Sequence, residues 1–181
     1  MYVMAKTKWK VDPAHTSIDF SVRHMMVSRV KGTFHEFEAS VEADPEDLTT
    51  ANIEFSVDIN SIDTRNEDRD NHLKSADFFD AENHPKMTFK STNIVRKGEN
   101  QYDVTGDLTI RGTTKPATFT VTAEGQGKDP WGNEVAGFSA EGKINRTDFG
   151  LTWNNTLETG GVLVGEDVNI SIELEAQKET A

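Results

Sequence analysis

Apolar and polar residues alternate one by one along most of this chain, and that pattern limits its fold more than any other feature. Ile18, Phe20 and Val22 alternate with Ser17, Asp19, Ser21 and Arg23. Ile53, Phe55, Val57 and Ile59 alternate with Asn52, Glu54, Ser56 and Asp58. Tyr102, Val104, Leu108 and Ile110 share one parity, as do Ala117, Phe119, Val121 and Ala123, and Phe138, Ala140, Gly142 and Ile144. The last run is Val168, Ile170, Ile172 and Leu174, with Asn169, Ser171, Glu173 and Glu175 between and after them. A period of two sends successive side chains to opposite faces of a strand. One solvated face implies antiparallel pairing, because parallel sheets are normally covered on both faces. Between Phe34 and Phe37 the parity slips, which predicts a bulge or a bend.

Turn signals separate the runs at Lys97-Gly98-Glu99-Asn100, Gly125-Gln126-Gly127 and Asp129-Pro130-Trp131-Gly132-Asn133. About eight strands at hairpin spacing predict a closed barrel or a sandwich, and periodicity alone does not separate the two. One segment departs from the pattern. Thr64-Arg65-Asn66-Glu67 reads as a capping box with Thr64 as N-cap, so a short helix is expected from there to about Ser75. Glu67, Asp68 and Asp70 would then sit at its positive end. With 181 residues and no repeat or low-complexity stretch, one domain is expected over residues 8–176. Residues 1–7 and 177–181 read as flanking tails.

Charge and composition exclude several function classes. The formal net charge is −12 and the sequence pI about 4.8. Such a surface repels phosphates and anionic headgroups, so neither nucleic acid nor stable membrane insertion is expected. Cysteine is absent, which removes disulfides and thiol chemistry. Met1 to Lys10 holds no apolar run long enough for a signal peptide or a membrane span. The expectation is a cytoplasmic protein, or a periplasmic or secreted one if a signal was removed. The histidines His15, His24, His35, His72 and His84 show no short ligand spacing, so no metal site is expected. There is no G-x-S-x-G elbow, and no catalytic residue or cofactor is assigned.

The inward parity carries the functional signal. It mixes large residues (Phe20, Phe55, Phe119, Phe138) with small ones (Ala39, Ala43, Ala117, Ala123, Ala140, Gly142). A small barrel is either filled by its side chains or wide enough for one ligand. Small inward residues leave apolar volume that a lipophilic ligand would occupy, or else they only fit the taper of the barrel. Both readings stand at this level.

Five stretches then resemble one family. They are Trp9-Lys10-Val11-Asp12-Pro13-Ala14-His15-Thr16-Ser17 with Phe20-Ser21-Val22-Arg23-His24; Arg69-Asp70-Asn71-His72-Leu73 with Asp77-Phe78-Phe79-Asp80; His84-Pro85 through Phe89-Lys90-Ser91; Gly106-Asp107-Leu108-Thr109-Ile110-Arg111-Gly112; and Arg146-Thr147-Asp148-Phe149-Gly150. In order and together they resemble the YceI-like proteins, over nearly the whole chain. The resemblance implies an extended antiparallel lipocalin-like β-barrel with one short lid helix and a long internal apolar pocket. Members are associated with polyisoprenoid chains, isoprenoid quinones, fatty-acid amides and other lipophiles. Thr16 stands where the family often has Ser, and many members carry a secretory signal that is not seen here.

The pocket is therefore expected to be lined by Phe20, Val22, Phe37, Ile53, Phe55, Leu73, Phe78, Phe79, Phe89, Leu108, Ile110, Phe119, Phe138 and Ile144. His24, Arg69, His72 and Arg146 are candidates for a polar head group. Each has a structural alternative. His24 fits a core histidine satisfied by backbone or carboxylate. Arg69, Asp70 and His72 fit a salt bridge pinning the helix to the barrel. Arg146 and Asp148 fit an ion pair at a turn. Trp131 reads as a surface or hairpin plug, and Trp153 as pocket lining or a barrel cap.

The function expected is non-catalytic binding, transport or storage of a long-chain lipophile: a polyisoprenoid, an isoprenoid quinone or a fatty-acid-like chain. The alternatives are a stress protein that traps lipophilic toxins or antibiotics, and a lipid-modifying enzyme. The expected partner is a lipophilic small molecule, with a homodimer left open.

Overall fold

The computed structural model describes residues 6–154 and 163–179. Among them lie eleven strand segments in one antiparallel sheet. These are β1 (Thr7–Val11), β2 (Ser17–His24), β3 (Ser28–Phe34), β4 (Phe37–Asp44), β5 (Asp47–Asp58), β6 (Ile62–Asp63), β7 (Lys86–Arg96), β8 (Gln101–Ile110), β9 (Thr113–Lys128), β10 (Glu134–Asn145) and β11 (Val164–Lys178). One α-helix, α1 (Glu67–Lys74), precedes β7.

The sheet closes because β1 pairs with β4 on one side and with β11 on the other, Trp9 lying opposite both Val41 and Lys178. Closure removes the sheet edge that an open sandwich would leave, which settles barrel against sandwich. The closed ring has eight strands. Beyond it, β2, β3 and β6 carry the wall further in one direction, so the barrel is elongated. β1 and β2 are two arms of one bent strand, turned by a single 3-10 turn at Pro13–His15. β5 and β6 are likewise joined by Ile59–Ser61, so Ile59 is buried in a 3-10 turn and not in a strand. The parity slip between Phe34 and Phe37 is the third such bend: His35 and Glu36 separate β3, paired with β2, from β4, paired with β5.

Three sequence-level expectations change. Gly125-Gln126-Gly127 is not a turn. β9 continues to Lys128, with a register shift that opposes Gly137 to Gly125 and Phe138 to Ala123. Gly125 has φ 145°, a conformation open to glycine, and it absorbs the extra residue of a bulge. The turn that follows is built by Asp129, whose carboxylate accepts from the backbone N–H groups of Trp131 and Asn133 and from Asn133 Nδ2. Second, Thr64 is not the helix cap. Asn66 caps, accepting from Arg69 N at 3.0 Å, while Thr64 is buried and donates its N–H and hydroxyl to Asp70 Oδ1. The acidic first turn falls where expected. Third, the C-terminal tail is paired as far as Lys178, and Thr7 is already in β1.

The interior divides along the barrel axis. Trp9, Leu48, Tyr102, Val104, Ala136 and Ala176 form a buried cluster at the β1/β4 end. Two further clusters fill the other half: one around Phe78, Leu108, Phe119, Phe149 and Leu151, the second around Ile18, Phe34, Val57, Ile59 and Ile62.

Candidate functional site

Between these clusters the inward faces do not meet completely. A first cavity of about 140 Å3 is lined by the aromatic rings of Trp9, Phe55, Phe89, Phe119 and Phe138 and by aliphatic residues that include Ile53, Val104, Leu108, Ile172 and Leu174. Thr88 and Ser139 are its polar contributors, and among the described residues no charged one borders it. A second cavity of about 210 Å3 lies under α1, among Phe20, Val22, Leu73, Phe78, Phe79, Ile110, Ile144 and Trp153. Asp19, Arg23, His24, Arg69, His72 and Arg146 also border this one. Ile18, Met87 and Ile170 border both, so the cavities meet at that waist. The barrel interior thus has an apolar end and a cation-rich end.

Of the fourteen apolar residues expected to line a pocket, all but Phe37 border one of the two cavities. Phe37 packs with the cluster around Val57 and Ile59, its ring centroid 6.4 Å from that of Phe55. It begins β4 just after the bend, where a neighbouring ring covers it. The small residues divide between the two readings left open. Of these, Ala43 and Ala140 border the first cavity. Gly142 does not open space, because the ring of Phe119 occupies the place of its missing side chain.

The four polar candidates all border the second cavity, though the partners expected for some of them differ. Among the described residues, Arg69 and Asp70 do not pair with a charge on the barrel. Arg69 donates from Nε to Thr64 Oγ1 (2.9 Å) and from Nη2 to Thr64 O (2.7 Å), so both side chains clasp the buried Thr64. A hydroxyl and a carbonyl within five residues are nearer than any strand charge, which is why local hydrogen bonds replace the salt bridge. His72 Nε2 shares a 2.9 Å hydrogen bond with Asp77 Oδ2, and its ring stands edge-on to Phe78 and Trp153. Trp153 therefore lines the cavity beneath the helix, whereas Trp131 is exposed at the β9–β10 turn. His24 borders the cavity with no side-chain partner among the described residues, so it is not the satisfied core histidine.

Arg146 departs furthest from expectation. It has no carboxylate within ion-pair distance among the described residues, Asp148 included. It is buried, and its guanidinium donates to four backbone carbonyls: Leu151 (2.5 Å), Trp153 (3.0 Å), Val164 (3.2 Å) and Gly165 (2.7 Å). Burial pulls its pKa below the ordinary guanidinium value, and the charge of Glu166 acts the other way. A side chain with five donors satisfies several carbonyls that lie far apart in sequence, so Arg146 ties the two chain segments flanking 155–162 to the end of β10.

Residues missed at the sequence level fall into two kinds. Val104, Val121, Ile170 and Leu174 were on the correct parity but not selected. Phe149, Leu151 and Leu163 lie in irregular segments, where no periodicity points inward. Asp12, His15 and Glu175 also cluster at the β1–β2 corner, with ligand atoms within 4.8 Å of one another. His15 Nδ1 lies 2.7 Å from Asp12 and 3.2 Å from Glu175. These exposed ion pairs tie the corner to β11. No described helix is long and apolar enough to cross a membrane.

Comparison with known proteins agrees with this geometry. The YceI-like domain matches residues 9–176. A UPF0312 protein of Staphylococcus epidermidis is 45% identical over 170 residues, covering 93% of this chain and 96% of that one. The crystal structure of the Campylobacter jejuni YCEI protein is 33% identical, with a TM-score of 0.76 and 99% of each chain covered. A polyisoprenoid binding domain from Saccharophagus degradans, implicated in plant cell wall breakdown, shares the fold at a TM-score of 0.67 over 96% of this chain and 99% of that one, at 12% identity. An eight-stranded closed barrel with one helix, matched from Trp9 to Ala176 and 45% identical to a relative covered over 96% of its length, belongs to the YceI-like family.

Proposed function

We propose that this barrel binds and carries a long-chain lipophile of the isoprenoid or fatty-acid type, with the chain inside and any polar head under α1. The observation that carries this reading is the polarity gradient along the interior. Among the described residues the first cavity has no charged border, while the second gathers Arg23, His24, Arg69, His72 and Arg146 with one acid, Asp19. An apolar chain with one polar end fits such a gradient in a single orientation. An apolar cavity of roughly 150 Å3 stays dry and accepts a benzene-sized ligand, and each cavity here is of that order. A longer chain has to pass the waist at Met87, whose unbranched side chain moves more easily than a branched one.

The energetics favour a chain over a head group as the source of affinity. Burying a five-carbon isoprene unit contributes up to about 4 kcal/mol at roughly 0.8 kcal/mol per carbon. Micromolar binding needs only about 8 kcal/mol. A few buried units exceed that after association costs, so head-group selectivity can be loose. The shared fold of the polyisoprenoid binding domain from Saccharophagus degradans agrees with the reading. The family relationship favours a binding role over catalysis, and among the described residues no ionisable group borders the first cavity.

The test is mass spectrometry of an organic extract from protein purified without detergent. The expected result is a stoichiometric lipophile with a long apolar chain. A clean extract, together with no uptake of added isoprenoids, would refute the reading.

A further inference from the structure

Several stretches of this acidic chain carry no acid, and one of them holds an exposed apolar turn. From Phe20 to Phe34 there is no Asp or Glu, while Arg23, His24, Arg29 and Lys31 all occur. The stretch forms the β2–β3 hairpin, and its tip is Met25-Met26-Val27. Arg23, Arg29 and Lys31 are exposed and have no carboxylate partner among the described residues. The tip is apolar and exposed as well: Met25 45%, Met26 58% and Val27 82%.

The tip also holds an unfavourable backbone. Met25 and Met26 have φ of 53° and 60°, and Val27 N–H bonds back to His24 O. Two consecutive positive φ values belong to the tight hairpin turn that Asn-Gly forms without strain. Two methionines there give up stability for exposed apolar side chains, which marks a site kept for another reason. The hairpin is also part of the cavity wall. Val22, Arg23, His24 and Val30 border the second cavity, and Met25 N–H donates to Leu163 O at 2.7 Å, Leu163 being another border residue.

We propose that this hairpin is the edge by which the protein docks on an anionic lipid bilayer. Met25, Met26 and Val27 enter the headgroup boundary, and Arg23, Arg29 and Lys31 meet anionic headgroups. Docking there holds the second cavity, which the hairpin borders, against the membrane that supplies or receives the lipophile, so the proposal rests on the carrier reading above. The overall charge of −12 does not oppose it at contact distance, because exposed charges more than about 8 Å away are largely screened at physiological salt. Exposed apolar residues flanked by cations match the chemistry of a membrane interface, where apolar insertion and headgroup attraction add.

The test is flotation with vesicles of equal parts phosphatidylcholine and phosphatidylglycerol, against phosphatidylcholine alone, alongside titration with farnesol as a lipophile delivered from solution. Wild type should float with the anionic vesicles, less so in high salt, and not with neutral ones. Met25→Asn combined with Met26→Gly should cut vesicle binding by about tenfold or more, melt no lower than wild type, and bind farnesol as before. Arg29→Gln with Lys31→Gln, two cations outside the second cavity's border, should weaken vesicle binding about twenty-fivefold, at about fivefold per cation. Wild type that binds farnesol but ignores both vesicle types would overturn the docking proposal, leave the cavity reading intact and assign the tip to a protein partner. Vesicle binding without farnesol uptake or extractable lipid would uphold docking and sink the carrier reading.

Discussion

The ring of Phe119 on β9 lies over the α-carbon of Gly142 on β10, so close that a Cβ at position 142 would stand 2.5 Å from Phe119 Cδ1. Gly106 makes room for Phe89 in the same way, and Gly32 for its cross-strand partner Phe20. Aromatic rings that cover glycines turn the wall of the barrel into packed core at those points. Gly142→Ala is therefore overpacking and should cost about 1–3 kcal/mol. Ala140, two residues earlier on the same face, borders free volume instead. Ala140→Phe should leave the lipid-free melt nearly unchanged and remove most lipid affinity. Thermal melts and lipid titrations of the two variants check both outcomes, and a large melting loss in Ala140→Phe would show a filled barrel.

Met87 stands at the waist between the two cavities with Ile18 and Ile170. Met87→Ala should join the cavities and shift selectivity toward longer chains, while Met87→Phe should confine binding to short ones. Competition between isoprenoid alcohols of different length reads this directly. An unchanged order of preference would mean that chains do not cross the waist.

Arg146 should tolerate no replacement. Arg146→Met strands four carbonyls near the interior, a loss of about 3–5 kcal/mol. Arg146→Lys should rescue little, because one ammonium cannot span the same acceptors. Denaturant unfolding measures both, and full rescue by lysine would mean that the charge matters and the hydrogen-bond fan does not.

The β1–β2 corner should show a pH dependence of its own. The hydrogen bond that His15 donates to Asp12 raises the pKa of His15, aided by the charges of Glu175 and Asp12, and the same bond lowers the pKa of Asp12. A raised histidine stabilises fully below its unfolded value, near 6.5, and that contribution vanishes as pH rises through the raised folded value. A depressed Asp12 stabilises above its ordinary carboxylate range and is lost as pH falls through the lower folded value. Wild type minus His15→Gln should thus show a positive stability difference in mildly acidic solution that fades above neutrality. A difference independent of pH would leave only packing at that corner. Both groups are exposed, so the effect is small and salt-sensitive.

Helix α1 has no buried residue, and much of its anchoring is hydrogen bonding around Thr64. Its amides should exchange faster than those of β8 or β10 in lipid-free protein, and slow when lipid fills the cavity beneath Leu73 and His72. Hydrogen exchange with and without lipid decides this, and equal protection would mean that α1 is a fixed wall.

Local patterning alone determined which side chains turn inward. Strand parity is a property of neighbouring residues, so the facing of Phe20, Phe55, Leu108, Phe119 and Phe138 could be read before any fold was known. The resemblance in its motifs also pointed to the family and to a helix near Arg69. Tertiary structure decided everything that joins distant segments: closure through Trp9 opposite Lys178, the bulge at Gly125, and the choice of Thr64 over the helix end as the partner of Asp70. It also decided that Gly142 is covered while Ala140 borders a cavity, though both are small and share a parity. The reason is physical. Parity states which face a side chain occupies, but whether that face meets a ring, a carbonyl or empty space depends on neighbours brought in by the closed sheet.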